Sequence, residues 1–156
     1  MKPLKIGKKV LHMMGINAVV NEIHRRGFYT HIVSGRPKYA DILAYNPETM
    51  KEVRIVVKAK QGGEWPGVRG INNDQTLLIL VDYEDKDNTE KPDFYILDAN
   101  DWQDYLKKHI IPNPKVKRLI DGYIPEWKDG WIGTSIKPHQ VLQHKEKWEK
   151  LERKLS

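Results

Sequence analysis

Cysteine is absent from the 156 residues, which excludes a disulfide framework, a thiolate nucleophile and a thiolate metal site, and fits a reducing compartment. No apolar run approaches the ~20 residues of a membrane-spanning helix. A mean hydropathy of -0.67 with 39% hydrophobic residues suits a soluble globular chain. The basic stretch Met1 to Lys9 has no continuous apolar segment behind it, so no signal peptide is read and a cytoplasmic protein is expected. His139 and His144 stand five apart and point to different faces of a helix, and no His-x-x-x-His pair exists, which argues against zinc. Gly62, Gly63, Gly67 and Gly70 match neither a Walker loop nor a dinucleotide fingerprint. A Ser-centred nucleophile elbow, internal repeats and low-complexity tracts are missing too.

What is present is positive charge, +6 net with a pI near 9.4. A basic surface favours polyanions through phosphate neutralisation and counterion release. The length suits one domain, residues 1–156, with a single core.

Tyr39 to Gln61 organises the chain. Asp41 opens a short apolar run, Asn46-Pro47-Glu48-Thr49 is turn chemistry, and the run from Glu52 alternates. Val53, Ile55, Val57 and Ala59 share one face; Glu52, Arg54, Val56, Lys58 and Lys60 share the other. The spacing predicts a hairpin in which Val56 is the one apolar residue on the polar face, beside Lys58 and near Asp41.

Before it, Val10, Met13, Met14, Val19, Val20 and Ile23 recur at helical spacing to about Arg26, and Gly27 closes the helix. Gly15 within it either allows close packing or divides a short first helix from the main one. FYTHIV reads as the first strand. After the hairpin come a Gly- and Trp-containing loop, the continuous apolar run TLLILVDY as a central strand covered on both faces, and DFYILD as another strand. A short helix WQDYLKKHI follows, with Asn100 or Asp101 as its N-cap. Ile111 to Trp131 reads as loop, punctuated by Pro and Gly, with Tyr123, Trp127 and Trp131 among basic residues; such a mixture makes either a lid pinned by aromatic anchors or a nucleic-acid groove. A terminal helix is expected from about Pro138 to Lys154.

A strand-borne Asp followed, after a turn, by a strand ending in x-x-Lys resembles the PD-(D/E)XK nuclease superfamily. The flanking HRRGFY helix end, QGGEWPG loop, TLLILVDY and DFYILDANDW strands and HKEKWEKL helix extend the resemblance over most of the chain. It implies an α/β fold of restriction-endonuclease-like type, a mixed central sheet flanked by helices, with a nuclease-like core over about 10–110 and a Pro- and Trp-rich segment and terminal helix over 111–156. It also implies a Mg²⁺- or Mn²⁺-dependent endonuclease, a hydrolase acting on nucleic acid and chiefly DNA, and admits a homodimer. Asp41 matches the first metal ligand, the Val57 carbonyl would join it, Lys58 matches the catalytic lysine, and Lys60 would steady the phosphate.

The second ligand falls on Val56, whose side chain cannot coordinate a hard cation. A helix glutamate found in many members has Ile16 and Asn17 as its nearest equivalents here. Glu52 lies roughly 13 Å up the strand, and since the family the chain resembles includes members whose ligand has moved onto a helix, Glu22 is the preferred substitute ligand, ahead of Glu64. Arg36, Lys38 and Arg69 are candidate phosphate contacts, with loop solubility the alternative for the first two. Trp65 either stacks on an unpaired base or anchors its loop. The alternative to an enzyme is a non-catalytic nucleic-acid-binding or assembly module that kept the fold.

Overall fold

In a computed structural model, residues 5–33 and 40–156 are described. Helix α1 (Lys8–Arg25) leads to strands β1 (Tyr29–Ile32), β2 (Ile42–Asn46) and β3 (Lys51–Lys60), then β4 (Trp65–Val68), β5 (Thr76–Asp82) and β6 (Asp93–Leu97). Helix α2 (Ala99–Tyr105), β7 (Val116–Ile120), β8 (Ile124–Trp127), β9 (Thr134–Ile136) and α3 (Glu149–Leu155) complete the order. The protein is mixed α/β. Its central sheet of five strands runs β1-β2-β3-β5-β6, with β3 and β5 parallel and every other neighbour antiparallel.

Residue parity divides the core. Val53, Ile55 and Val57 of β3 and Leu77, Ile79 and Val81 of β5 face α1 and α3. Leu78 and Leu80 face the other way, toward α2, Trp65 and Val68. All seven residues of β5 are buried, as its unbroken apolar run requires of a strand covered on both faces.

Helix α1 is continuous through Gly15, where a Cβ would stand 2.8 Å from that of Ala59 on β3; the glycine serves close helix–sheet packing. At its end, Phe28 N–H donates to Ile23 O and Gly27 N–H to His24 O, with Gly27 at φ 85°, a Schellman closure that turns the chain into β1.

Three expectations need correction. The N-cap of α2 is Asp98, whose carboxylate accepts from Asp101 N–H while Asp101 returns the bond to Asp98 N–H; a capping box satisfies two orphan donors at once. Residues 116–127 form a hairpin, not a loop, since Asp121 and Gly122 both take positive φ at its tip and Pro125, inside β8, still pairs with Leu119. The terminal helix is only Glu149–Leu155, because Pro138–Gln140 and Leu142–His144 are single 3₁₀ turns. Among the described residues no helix is long and apolar enough to cross a membrane.

Candidate functional site

The turn at Asn46 sets the register that builds the site. The Asn46 Oδ1 accepts from Glu48 N–H at 3.0 Å, and the ladder pairs Ile42 with Ile55 before β2 stops. Strand β3 runs five residues further, to Lys60. Its backbone on that side therefore loses its neighbour, and Asp41, just before β2, substitutes for one: its N–H donates to Ile55 O at 2.8 Å and its Oδ2 accepts from Val57 N–H at 2.8 Å. N–H and C=O of one strand residue leave on the same side, so the Val57 carbonyl is directed toward Asp41 as well.

Beyond the end of β2 opens a cavity of about 940 Å³. Asp41, Lys58 and Val57 line it together with Val56, Arg54 and Arg69. The Val57 side chain lies in the core against α1, so Val57 meets the cavity through its backbone. Arg54, Lys58 and Arg69 form no ion pair among the described residues. His12 of α1 reaches Asp41 Oδ1 with its Nε2 at 3.4 Å, and is 47% exposed against 13% for the carboxylate. Two acidic side chains thus stand among three permanent cations and an imidazole, the second being Asp121 from the β7–β8 tip.

Other expected residues lie elsewhere. Lys60 sits across the parallel register from Asp82, with its ammonium 2.8 Å from Asp82 and 3.5 Å from Glu84 and its side chain 1% exposed. It donates to Gly62 O at 2.8 Å and lies 5.0 Å from the Trp65 ring centroid. Buried and fully engaged, it holds the start of the following loop and faces no phosphate.

Trp65 is fully buried, donating to Val81 O at 2.9 Å and meeting Tyr95 edge-on at 5.4 Å. It is the anchor of its loop and offers no ring face to a base. The same burial, with Asp82 nearby, pushes the Tyr95 phenol up to about 12.

Glu22 is buried near the other end of α1, paired with Arg25, Arg26 and Lys91. Ten residues separate it from His12, about 15 Å along the helix, and it does not line the cavity. Arg36 and Lys38 lie outside the described residues.

Sequence reasoning did not single out His12 or Asp121, and named Tyr123 only among the aromatics that make either a pinned lid or a nucleic-acid groove. Arg54 carried a signal, since it shares the Lys58 face of β3. His12 comes from α1, and Asp121 and Tyr123 from the β7–β8 tip much later in the chain, and no spacing announces that they meet.

The donor set can be tested against Mg²⁺, which demands near-octahedral oxygen ligands and commonly takes one or two carboxylates. Here the Asp41 carboxylate has one oxygen committed to Val57 N–H and the other facing His12, and Asp121 lines the cavity from the separate hairpin tip. An isopropyl group occupies the second-ligand position, and among the described residues no group of three His, Asp or Glu converges. The cations that attract a phosphate also repel Mg²⁺. The residues present do not compose an Mg²⁺ site of the kind that the resemblance implies.

The chain was compared with known proteins. No protein-family model matches it, and no curated protein does.

Proposed function

We propose that this chain is a nucleic-acid-binding module on a restriction-endonuclease-like fold, holding a polynucleotide backbone, DNA foremost, in the cavity beside Asp41. The observation that carries the reading is the set of three cations, Arg54, Lys58 and Arg69, that form no ion pair among the described residues and line one concave site. The fold assignment is supported by the succession of a helix, the β2–β3 hairpin with Asp41 just before β2, and Lys58 on β3, which pairs in parallel with β5. Each phosphate neutralised steepens the salt dependence by ~0.9 in log–log slope, so three contacts give a slope of about −3.

Metal-dependent cleavage is the second reading. It is favoured by Asp41 and Lys58 sharing one cavity wall and disfavoured by Val56 and by the donor set.

The test is calorimetric titration of Mg²⁺ and Mn²⁺ into the native chain and Asp41→Ala, with and without DNA, beside fluorescence anisotropy of labelled DNA over a salt series. DNA binding without metal binding sustains the binding module. Metal binding that vanishes in Asp41→Ala sustains the nuclease. DNA that fails to bind even at low salt rejects both.

A further inference from the structure

The cavity has two walls of different character. One is the sheet, with Arg54 and Lys58 of β3 on either side of Val56. The other is the tip of the β7–β8 hairpin, with Asp121, Tyr123 and Ile124. That tip is pinned from behind: Trp102 Nε1 donates to Tyr123 O at 2.8 Å and Gln103 Nε2 donates to Gly122 O at 3.2 Å. Tyr123 is half-buried against the cluster that includes Trp102, and the backbone of the hairpin tip is held by α2.

Size and chemistry then select among polynucleotides. The space is about 940 Å³. It is ample for an unpaired nucleotide.

Within it Arg54 and Lys58 stand on the sheet wall with Asp41 at its edge, and Asp121 on the hairpin wall. Arg54 and Lys58 project from one face of β3 four residues apart, about 13 Å, which suits two separate phosphates of one strand. Asp121 repels phosphate from the hairpin wall and accepts hydrogen bonds there, as the N–H donors of a base require. Tyr123 beside it supplies an aromatic face for a base.

We infer that the cavity takes one unpaired strand of nucleic acid, with its phosphates along Arg54 and Lys58 and a base against Tyr123. The inference rests on the backbone-binding reading above and adds the form of its ligand.

The experiment is anisotropy at fixed salt with labelled oligo(dT), oligo(rU) and a mixed-sequence duplex, each about 12 nucleotides or base pairs long, within the site sizes of single-strand binders. Native protein, Tyr123→Ala and the Arg54→Ala/Lys58→Ala double variant are compared. The single strands should bind the native chain at least about tenfold more tightly than the duplex. Tyr123→Ala should lower their affinity by about tenfold to a hundredfold, the range for losing one base stack, and leave the duplex unchanged. The double variant should weaken every ligand. A preference between oligo(dT) and oligo(rU) names the sugar, and either supports the inference.

Photo-crosslinking of a 5-iodouracil strand to the native chain needs no variant to fold, and the adduct should map to Tyr123. Duplex binding as tight as single-strand binding, or an adduct away from the 121–124 tip, overturns the inference while the backbone-binding reading stands. Failure of all three ligands to bind overturns both.

Discussion

Replacing Gly70 by alanine tests whether Trp102 wedges the cavity wall in place. Gly70 has φ +87°, and an added Cβ would lie 2.0 to 2.3 Å from three atoms of the Trp102 indole. Trp102 is fully buried, stacked at 5.2 Å on Tyr105 and tied to Tyr123 O, so it cannot swing aside without breaking those contacts. The left-handed backbone costs an alanine about 1–2 kcal/mol, and overpacking a full core adds about 1–3 kcal/mol. The total is about 2–5 kcal/mol.

Gly67 is the internal control. It also has a positive φ, +64°, yet nothing lies within 4 Å of its added Cβ, so Gly67→Ala should cost only the backbone share of about 1–2 kcal/mol. Urea denaturation followed by far-UV circular dichroism gives both values at a common m. A Gly70→Ala/Trp102→Phe double variant adds the cycle: if the indole is the obstacle, the smaller ring relieves part of the cost and the two changes are non-additive. Equal stabilities for Gly70→Ala and Gly67→Ala, within about 0.5 kcal/mol, would refute the wedge.

Two further outcomes concern buried charge. Lys60→Ala strands Asp82 and Glu84 beside the core, so it should destabilise by about 3–5 kcal/mol, while nucleic-acid affinity per folded molecule stays unchanged. A selective loss of binding in a stable variant would show that Lys60 serves the site after all.

The second concerns the contact that holds α3 to the sheet. Lys150 Nζ reaches Ile96 O at 2.8 Å, Asp101 at 2.7 Å and His144 Nδ1 at 3.0 Å. Burial first, and the Lys150 ammonium second, hold the His144 imidazole below its ordinary 6.5. The unfolded chain therefore takes up this proton before the native one does, and stability falls as pH drops from 6.5 toward the lower native value, by at most about 1.4 kcal/mol per pH unit. Burial works to raise the Asp101 carboxyl, but the Lys150 ammonium and the Asp98 N–H outweigh it and set it below 3.8, so a second loss follows in stronger acid. Urea midpoints between pH 5 and 8 should show the first slope in the native chain and lose it in His144→Gln; an unchanged slope in the variant would assign it to another group.

The elements most legible in the sequence were those whose patterns are local. Alternation through Val53, Ile55 and Val57 announced β3, and the Asn46 turn announced its partner. The unbroken run from Leu77 to Val81 announced a strand with two covered faces. The β7–β8 hairpin escaped because its strands are short and Pro125 sits within one of them, so composition spoke for loop while pairing with β7 decided otherwise. The terminal helix shrank because Pro138 and the 3₁₀ turns after it follow the sheet edge, where Lys145 bridges to Tyr95, before a helix can start.

For the site, sequence alone determined that Asp41, Arg54 and Lys58 come from adjoining strands and that Val56 breaks the expected ligand pattern, because strand parity and hairpin register are set over a few residues. It also determined the excess of positive charge. Which lysine faces solvent was a tertiary decision: Lys58 and Lys60 share a strand face, yet Asp82 on β5 draws one of them into the core. So was the fate of Trp65, whose indole finds an acceptor in Val81 O. His12 reaches the cavity from α1 and Asp121 and Tyr123 from the β7–β8 tip, and only the closing of α1 and the hairpin onto the sheet brings them within reach of one ligand.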